Sequence, residues 1–409
     1  MIKQLKNMNS GLFIYFCIIA FTALGLGLSN DILSNYFKDA YNVTAYQRGL
    51  IELPRELPGI LCMFVVAGLS FLSDIRLAMI AQILSIIGIT ALGLLTPVFA
   101  VMLVFVFINS LGAHLFFPLQ DSIGISLIKD ENIGKRMGQY KGVSTAFTML
   151  ASILVFTGFR LGLFSFTDNT KWIFIICAGF LTIVLVLLFV LDRINKEAIK
   201  SKNKKIRFIF RKEYKYYYIL VIMFGVQKQM MFVYGPWVLI DLLNKKVDTI
   251  AILGIIGSFV GIFFIPAVGR WLDRFGIKKL LYADALSFIF VYLIYGILCA
   301  GFISKTFGMA GLPVILVYIL FIIDRMSMQL GLVRIVFLRA ILVDQSDLMP
   351  TLSLGQSMDH VVSISCAYLG GIVWSVWGAP YVFFSVAVLS LVNLYIAHKV
   401  QIKEAVPTI

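Results

Sequence analysis

Segments of about 20 apolar residues recur along the whole chain, and each is long enough to cross a bilayer as a helix. In hydrocarbon every backbone polar group must be paired inside its own segment, so a helix is the form such a stretch takes. Twelve spans are predicted, at roughly 11–39, 47–71, 77–96, 99–127, 138–160, 172–192, 214–242, 249–269, 277–302, 312–342, 353–376 and 380–398. Composition agrees. The chain of 409 residues is 60% hydrophobic and 14% charged, with a mean hydropathy of +0.94. Soluble domains carry about 25% charged residues. Short turns after span 3, "LLTPVF", and span 11, "VWGAPY", make their flanking helices antiparallel neighbours.

Charge outside the spans predicts orientation. A cytoplasmic N-terminus puts Lys3, Lys6, Arg76, Lys129, Lys135, Arg136, the block 193–215, Arg270, Arg274, Lys278, Lys279, Arg339, Lys399 and Lys403 on one side. Only Lys38, Arg48, Arg160, Lys171, Lys245, Lys246 and Lys305 fall on the other. The positive-inside rule then places both termini in the cytoplasm. It also accounts for the net charge of +14 without nucleic acid. The first apolar stretch lacks a small-residue cleavage site and reads as a retained span. The expected location is the plasma membrane, the cytoplasmic membrane of a prokaryote.

The one long polar stretch, 193–213, follows six spans and precedes six more. It divides the chain into an N-terminal six-helix bundle, 1–192, a basic linker, and a C-terminal bundle, 214–409. Two internal echoes support this division. "GLSFLSDIRLAMI", 68–80, follows span 2, and "GRWLDRFGIKKLL", 269–281, follows span 8. "GQYKGVS", 138–144, is weakly matched by "GQSMDHVVS", 355–363. Related halves around a central loop are the pattern of repeat-built secondary transporters.

"GRWLDRFGIKK" resembles the signature of the major facilitator superfamily between the second and third helix of each half. Gly269, Asp273, Arg274, Gly276, Lys278 and Lys279 fit it. The first copy is degraded: Asp74 and Arg76 remain, but Ser70 replaces a glycine and the second glycine is missing. The resemblance implies an all-α membrane fold of two pseudo-symmetric six-helix bundles. It also implies a gating role for Asp74 and Asp273, against the plainer reading of a structural turn. Asp at such a turn can cap the following helix. Drug–proton antiporters of the family tend to carry an Arg in span 4 and a Gly-Pro pattern in span 5, and both are absent here.

Ionisable residues inside a span cost roughly 2.5–3.5 kcal/mol each on insertion scales and turn toward protein or a wet cavity. These, with neighbouring amides, fall in span 1 (Asn30, Asp31), span 2 (Glu52, Arg55, Glu56), span 4 (Asn109, His114, Gln120, Asp121), span 7 (Gln227, Lys228, Gln229), span 10 (Asp324, Arg325, Gln329, Arg334) and span 11 (Asp359, His360). The middles of spans 3, 6 and 12 carry no charge. The resembled fold has spans 1, 4, 7 and 10 around a central cavity, nearly the same partition.

Lys228 is the sharpest residue, mid-span and flanked by two amides. It is expected to bind substrate, or to pair with Asp324 or Asp31. With Lys228, the candidate substrate ligands are Arg325, Gln227, His114, Asn109 and Asp324. Candidate proton carriers are Asp31, Glu52, Glu56, Asp359 and His360, since carboxylates and imidazoles change charge readily. Glu52, Arg55 and Glu56 at i, i+3, i+4 share a helix face, so Arg55 is expected to pair there. Asp121 is read as too near the cytoplasm to touch the solute.

The expected function is secondary active transport of a small anionic or zwitterionic solute by alternating access, coupled to protons. The alternative is multidrug efflux by proton antiport. A non-transporting sensor is a further reading. A membrane enzyme is not expected, because no nucleophile–base motif or soluble loop domain is present. The five cysteines, in apolar runs without metal-ligand spacing, predict neither disulfide nor metal. No cofactor is expected, and the chain reads as a monomer among membrane lipids.

Overall fold

The computed structural model describes residues 10–30, 32–69, 71–128, 133–194, 210–344 and 347–400, and every regular element in them is helical. The first half holds α1 (Ser10–Asn30), α2 (Leu33–Tyr41), α3 (Ala45–Gly68), α4 (Asp74–Leu94), α5 (Phe99–Ser126), α6 (Ile133–Arg160) and α7 (Trp172–Ile194). The second holds α8 (Lys215–Trp237), α9 (Val247–Ile303), α10 (Leu312–Ser327), α11 (Gly331–Ala340), α12 (Leu348–Trp377) and α13 (Ala379–Lys399). Ten helical stretches among the described residues are long and apolar enough to cross a membrane. α3 is not one of the ten, because Arg48, Glu52, Arg55 and Glu56 crowd its first half.

Several predicted spans are interrupted. Span 1 divides into α1 and α2. Asn42, in the left-handed region at φ 48°, ends α2 by returning its N–H to the Lys38 carbonyl at 2.9 Å. Spans 8 and 9 run together as the 57-residue α9, broken at Gly276 with φ 78° and ψ 166°. Those angles are nearly confined to glycine, which explains the second glycine of the signature. Span 10 divides into α10 and α11 at a 3-10 turn, Met328–Leu330.

The chain divides into two compact units. One gathers Met1–Val43, Leu53–Lys205 and Lys245–Ser258; the other gathers Thr44–Glu52, Ile206–Asn244 and Phe259–Ile409. The predicted boundaries, contiguous in sequence, differ from this at two segments. The first two turns of α3 cluster with the C-terminal helices, and the start of α9 clusters with the N-terminal ones. Most of the predicted linker lies outside the described residues.

In the first unit α1 packs against α6 and α7, and α4 against α5 and α7. Tyr15, Ile18, Ile75, Leu115, Phe116, Val184 and Leu188 belong to its core. In the second, α8 packs against α11, α12 and α13, around Tyr217, Leu220, Leu280, Val333, Phe337 and Ile396. The exposed faces are also apolar: Val186 and Phe189 on α7, Phe259, Phe263 and Phe290 on α9, Val388 and Leu391 on α13. Apolar helix faces left exposed in this way suit lipid rather than water.

Candidate functional site

Consecutive residues on a helix point about 100° apart. On α8 this sends Gln227, Lys228 and Gln229 to three different helices. Gln227 is buried; its amide donates to Ser390 Oγ at 2.8 Å and accepts from Asn393 Nδ2 at 3.2 Å, both on α13. Lys228 donates to Asp359 Oδ2 on α12. Gln229 donates to Glu52 Oε2 on α3 at 2.7 Å.

The Lys228–Asp359 pair is the accessible one. Lys228 keeps 31% of its side chain exposed and Asp359 15%. The second carboxylate oxygen, Asp359 Oδ1, is buried without a hydrogen-bond partner. The partner expected from the sequence, Asp324, is instead buried on α10 with the Tyr292 hydroxyl 3.1 Å from its Oδ1. That hydroxyl also lies 2.7 Å from the Gln227 carbonyl. Gln227 and Asp324, both expected to bind substrate, are therefore engaged in packing among α8, α9, α10 and α13. Arg325 is half-buried, its guanidinium 5.0 Å from the Phe321 ring centre. His360, beside Asp359, is buried.

Glu52 has no exposed surface. It accepts from Arg48 Nη1 at 2.5 Å through one oxygen and from Gln229 through the other. Expected as a proton carrier, it is sealed from solvent with both oxygens engaged. Arg48, assigned from sequence to outer loop charge, is buried at 2% exposure. The missed signal was its i, i+4 spacing to Glu52. Gly49, one residue on, has room for no side chain: a Cβ there would lie 2.4 Å from the Ala367 carbonyl oxygen. Arg55 pairs with Glu56 at 2.9 Å on the face they share, and Glu52 also pairs backward with Arg48.

In the first unit, Ser110 Oγ donates to the Arg55 carbonyl, and His114 Nδ1 lies 2.9 Å from the Ser110 carbonyl and 3.1 Å from its hydroxyl. His114 and Glu56 offer a ring nitrogen and a carboxylate oxygen within 4.8 Å of each other. Asn109 is half-buried on the same helix. Asp31 lies outside the described residues.

The two copies of the signature differ. Asp74 is buried in the first turn of α4 and accepts from Ser122 Oγ on α5 at 2.6 Å. The capping group is its neighbour Ser73, whose side chain accepts from the Arg76 N–H. Arg76 pairs with Asp192 at 3.3 Å. Asp273 and Arg274 are exposed, Gly269 is half-buried, and Gly276 supplies the break.

The sequence matches the model of the Major Facilitator Superfamily over residues 15–345. No curated protein matches it. Solved structures resemble it at low identity, over nearly full length on both sides. The nucleoside transporter NupG has a TM-score of 0.71 at 14% identity, covering 96% of this chain and 98% of its own. A POT family transporter in complex with a thioalcohol-conjugated peptide scores 0.74 at 11% identity, covering 94% and 95%. A bacterial homologue of the iron transporter ferroportin scores 0.73 at 13% identity, covering 96% and 99%. These likenesses carry the fold. The family match over most of its length makes this chain a member of the major facilitator superfamily.

Proposed function

We propose that the chain is a secondary active transporter that moves a small anionic or zwitterionic solute by alternating access, coupled to protons. Twelve spans in two bundles, both termini cytoplasmic, in the plasma membrane of a prokaryote, complete the reading. Membership of the family supports transport, and the partly exposed Lys228–Asp359 pair carries the rest. A cation held inside a span by one carboxylate is balanced while the site is empty. A solute carboxylate or phosphate that takes Lys228 releases Asp359, which then binds a proton in place of its lost partner. For a solute of one net negative charge, the charge at the site stays constant through the exchange, and this couples solute to proton. Arg325 is the second cation offered to the solute, and Glu56 with His114 forms a further proton-accepting pair.

The test is solute exchange in proteoliposomes. Lys228→Ala abolishes exchange, whereas Asp359→Asn retains it and loses its dependence on a proton gradient. Exchange by Lys228→Ala at the wild-type rate would remove the reading.

A further inference from the structure

A cavity of about 390 Å³ opens inside the first unit, walled by α1, α5 and α6. It involves none of the candidate substrate residues. One acidic residue and one basic residue line it: Asp121 from α5 and Lys141 from α6, both exposed. Neutral hydrogen-bonding groups continue the wall, among them Thr22, Asn30, Gln120 and Ser144. Two of these have unmet capacity: Thr22 Oγ1 and Gln120 Oε1 are buried without a hydrogen-bond partner. Thr22 is 3% exposed. Tyr15 and Tyr140 have their hydroxyls committed, to the Gln120 and Gly124 carbonyls. They present rings to the cavity, packed edge to face with centres 4.9 Å apart. Ile19 and Met137 extend that apolar floor.

We infer that this cavity binds a small zwitterion of amino-acid or dipeptide size, its ammonium on Asp121, its carboxylate on Lys141, and its side chain over Tyr15 and Tyr140. The volume is at the lower end for small-molecule sites. One charge of each sign, on separate helices, attracts both ends of a zwitterion, whereas a singly charged ligand gains one attraction and meets one repulsion. The ammonium supplies donors to the unpaired acceptors of Thr22 and Gln120. Asp121, which its position near the cytoplasmic end removes from consideration in the sequence, is a ligand in this arrangement.

A solute-carrying role is presupposed, yet binding in detergent needs neither gradient nor coupled ion, so failure to bind and failure to transport are separate results. The experiment is calorimetric titration of the purified full chain at neutral pH. The probes are L-alanine, L-leucine and L-alanyl-L-leucine, with isoamylamine and 4-methylpentanoate as singly charged controls. At least one zwitterion binds, and both controls bind tenfold or more weakly by comparison. Asp121→Asn and Lys141→Met each weaken zwitterion binding at least tenfold. The exchanged double variant Asp121→Lys/Lys141→Asp, which keeps one charge of each sign, binds more tightly than either single variant. Absence of binding by all three zwitterions overturns the assignment. So does binding that ignores both single substitutions, or a control that binds as tightly as L-leucine.

Discussion

Arg48 and Glu52 form a buried ion pair at 2.5 Å with side-chain exposures of 2% and 0%, and this geometry fixes what their removal does. Glu52→Leu leaves a guanidinium inside the protein without its carboxylate. Arg48→Met leaves the carboxylate with the Gln229 amide, at 2.7 Å, among its partners. Removing one member of a buried pair costs about 3–5 kcal/mol. The double variant Arg48→Met/Glu52→Leu removes both charges together. Its remaining cost is the Gln229 amide left without its acceptor, about 1–3 kcal/mol. The double variant is therefore less destabilised than the sum of the singles by at least about 3 kcal/mol. Equilibrium unfolding in mixed micelles with rising dodecyl sulfate, run on all four proteins, gives this coupling directly. Additive destabilisation would refute the reasoning, because it would mean that the two charges do not depend on each other.

Three further outcomes follow from the same structure. Gly276→Ala places a Cβ at φ 78°, ψ 166° and costs about 1–3 kcal/mol in the same unfolding assay, whereas Gly269→Ala, at a helical position with open space where the Cβ would stand, raises stability by up to about 1 kcal/mol. Arg334 is buried, pairs with Asp284 at 2.8 Å and lies 3.7 Å from the Phe224 ring centre; Arg334→Lys, which loses the planar fork and the stacking, lowers stability by about 1–3 kcal/mol. Lys171, buried just before α7, donates from Nζ to the Leu95 carbonyl and Thr96 Oγ1 beyond the C-terminus of α4. Burial lowers its pKa below the ordinary lysine range. The unfolded chain thus binds more protons there, and this residue's contribution to stability rises with pH just below that range. Unfolding measured against pH shows the rise in the wild type and not in Lys171→Met.

Helices and charges were legible in the sequence, and partners were not. The apolar segments locate the helices because their lengths match a bilayer, and the charge census finds Glu52, Lys228 and Asp359 because a span tolerates few such residues. Which helix each meets depends on packing between segments far apart in the chain. Lys228 therefore pairs with Asp359, 131 residues on, rather than with Asp324. Arg48 was hidden because it stands at the edge of its apolar run, where a loop and a helix read alike. Gln227 and Asp324 look like cavity residues by composition, and only the positions of Ser390, Asn393 and Tyr292 show that their polar groups are engaged inside the bundle.

The central claim is coupled transport, and flux through the wild-type protein in sealed proteoliposomes tests it most directly. Radiolabelled amino acids, dipeptides and small carboxylates are offered with and without an imposed pH gradient. The account predicts that at least one of these solutes accumulates above its external concentration when the gradient is present, and that a protonophore abolishes the accumulation. Equilibration at the same rate and to the same level in both conditions, or no flux of any of these solutes, would contradict it.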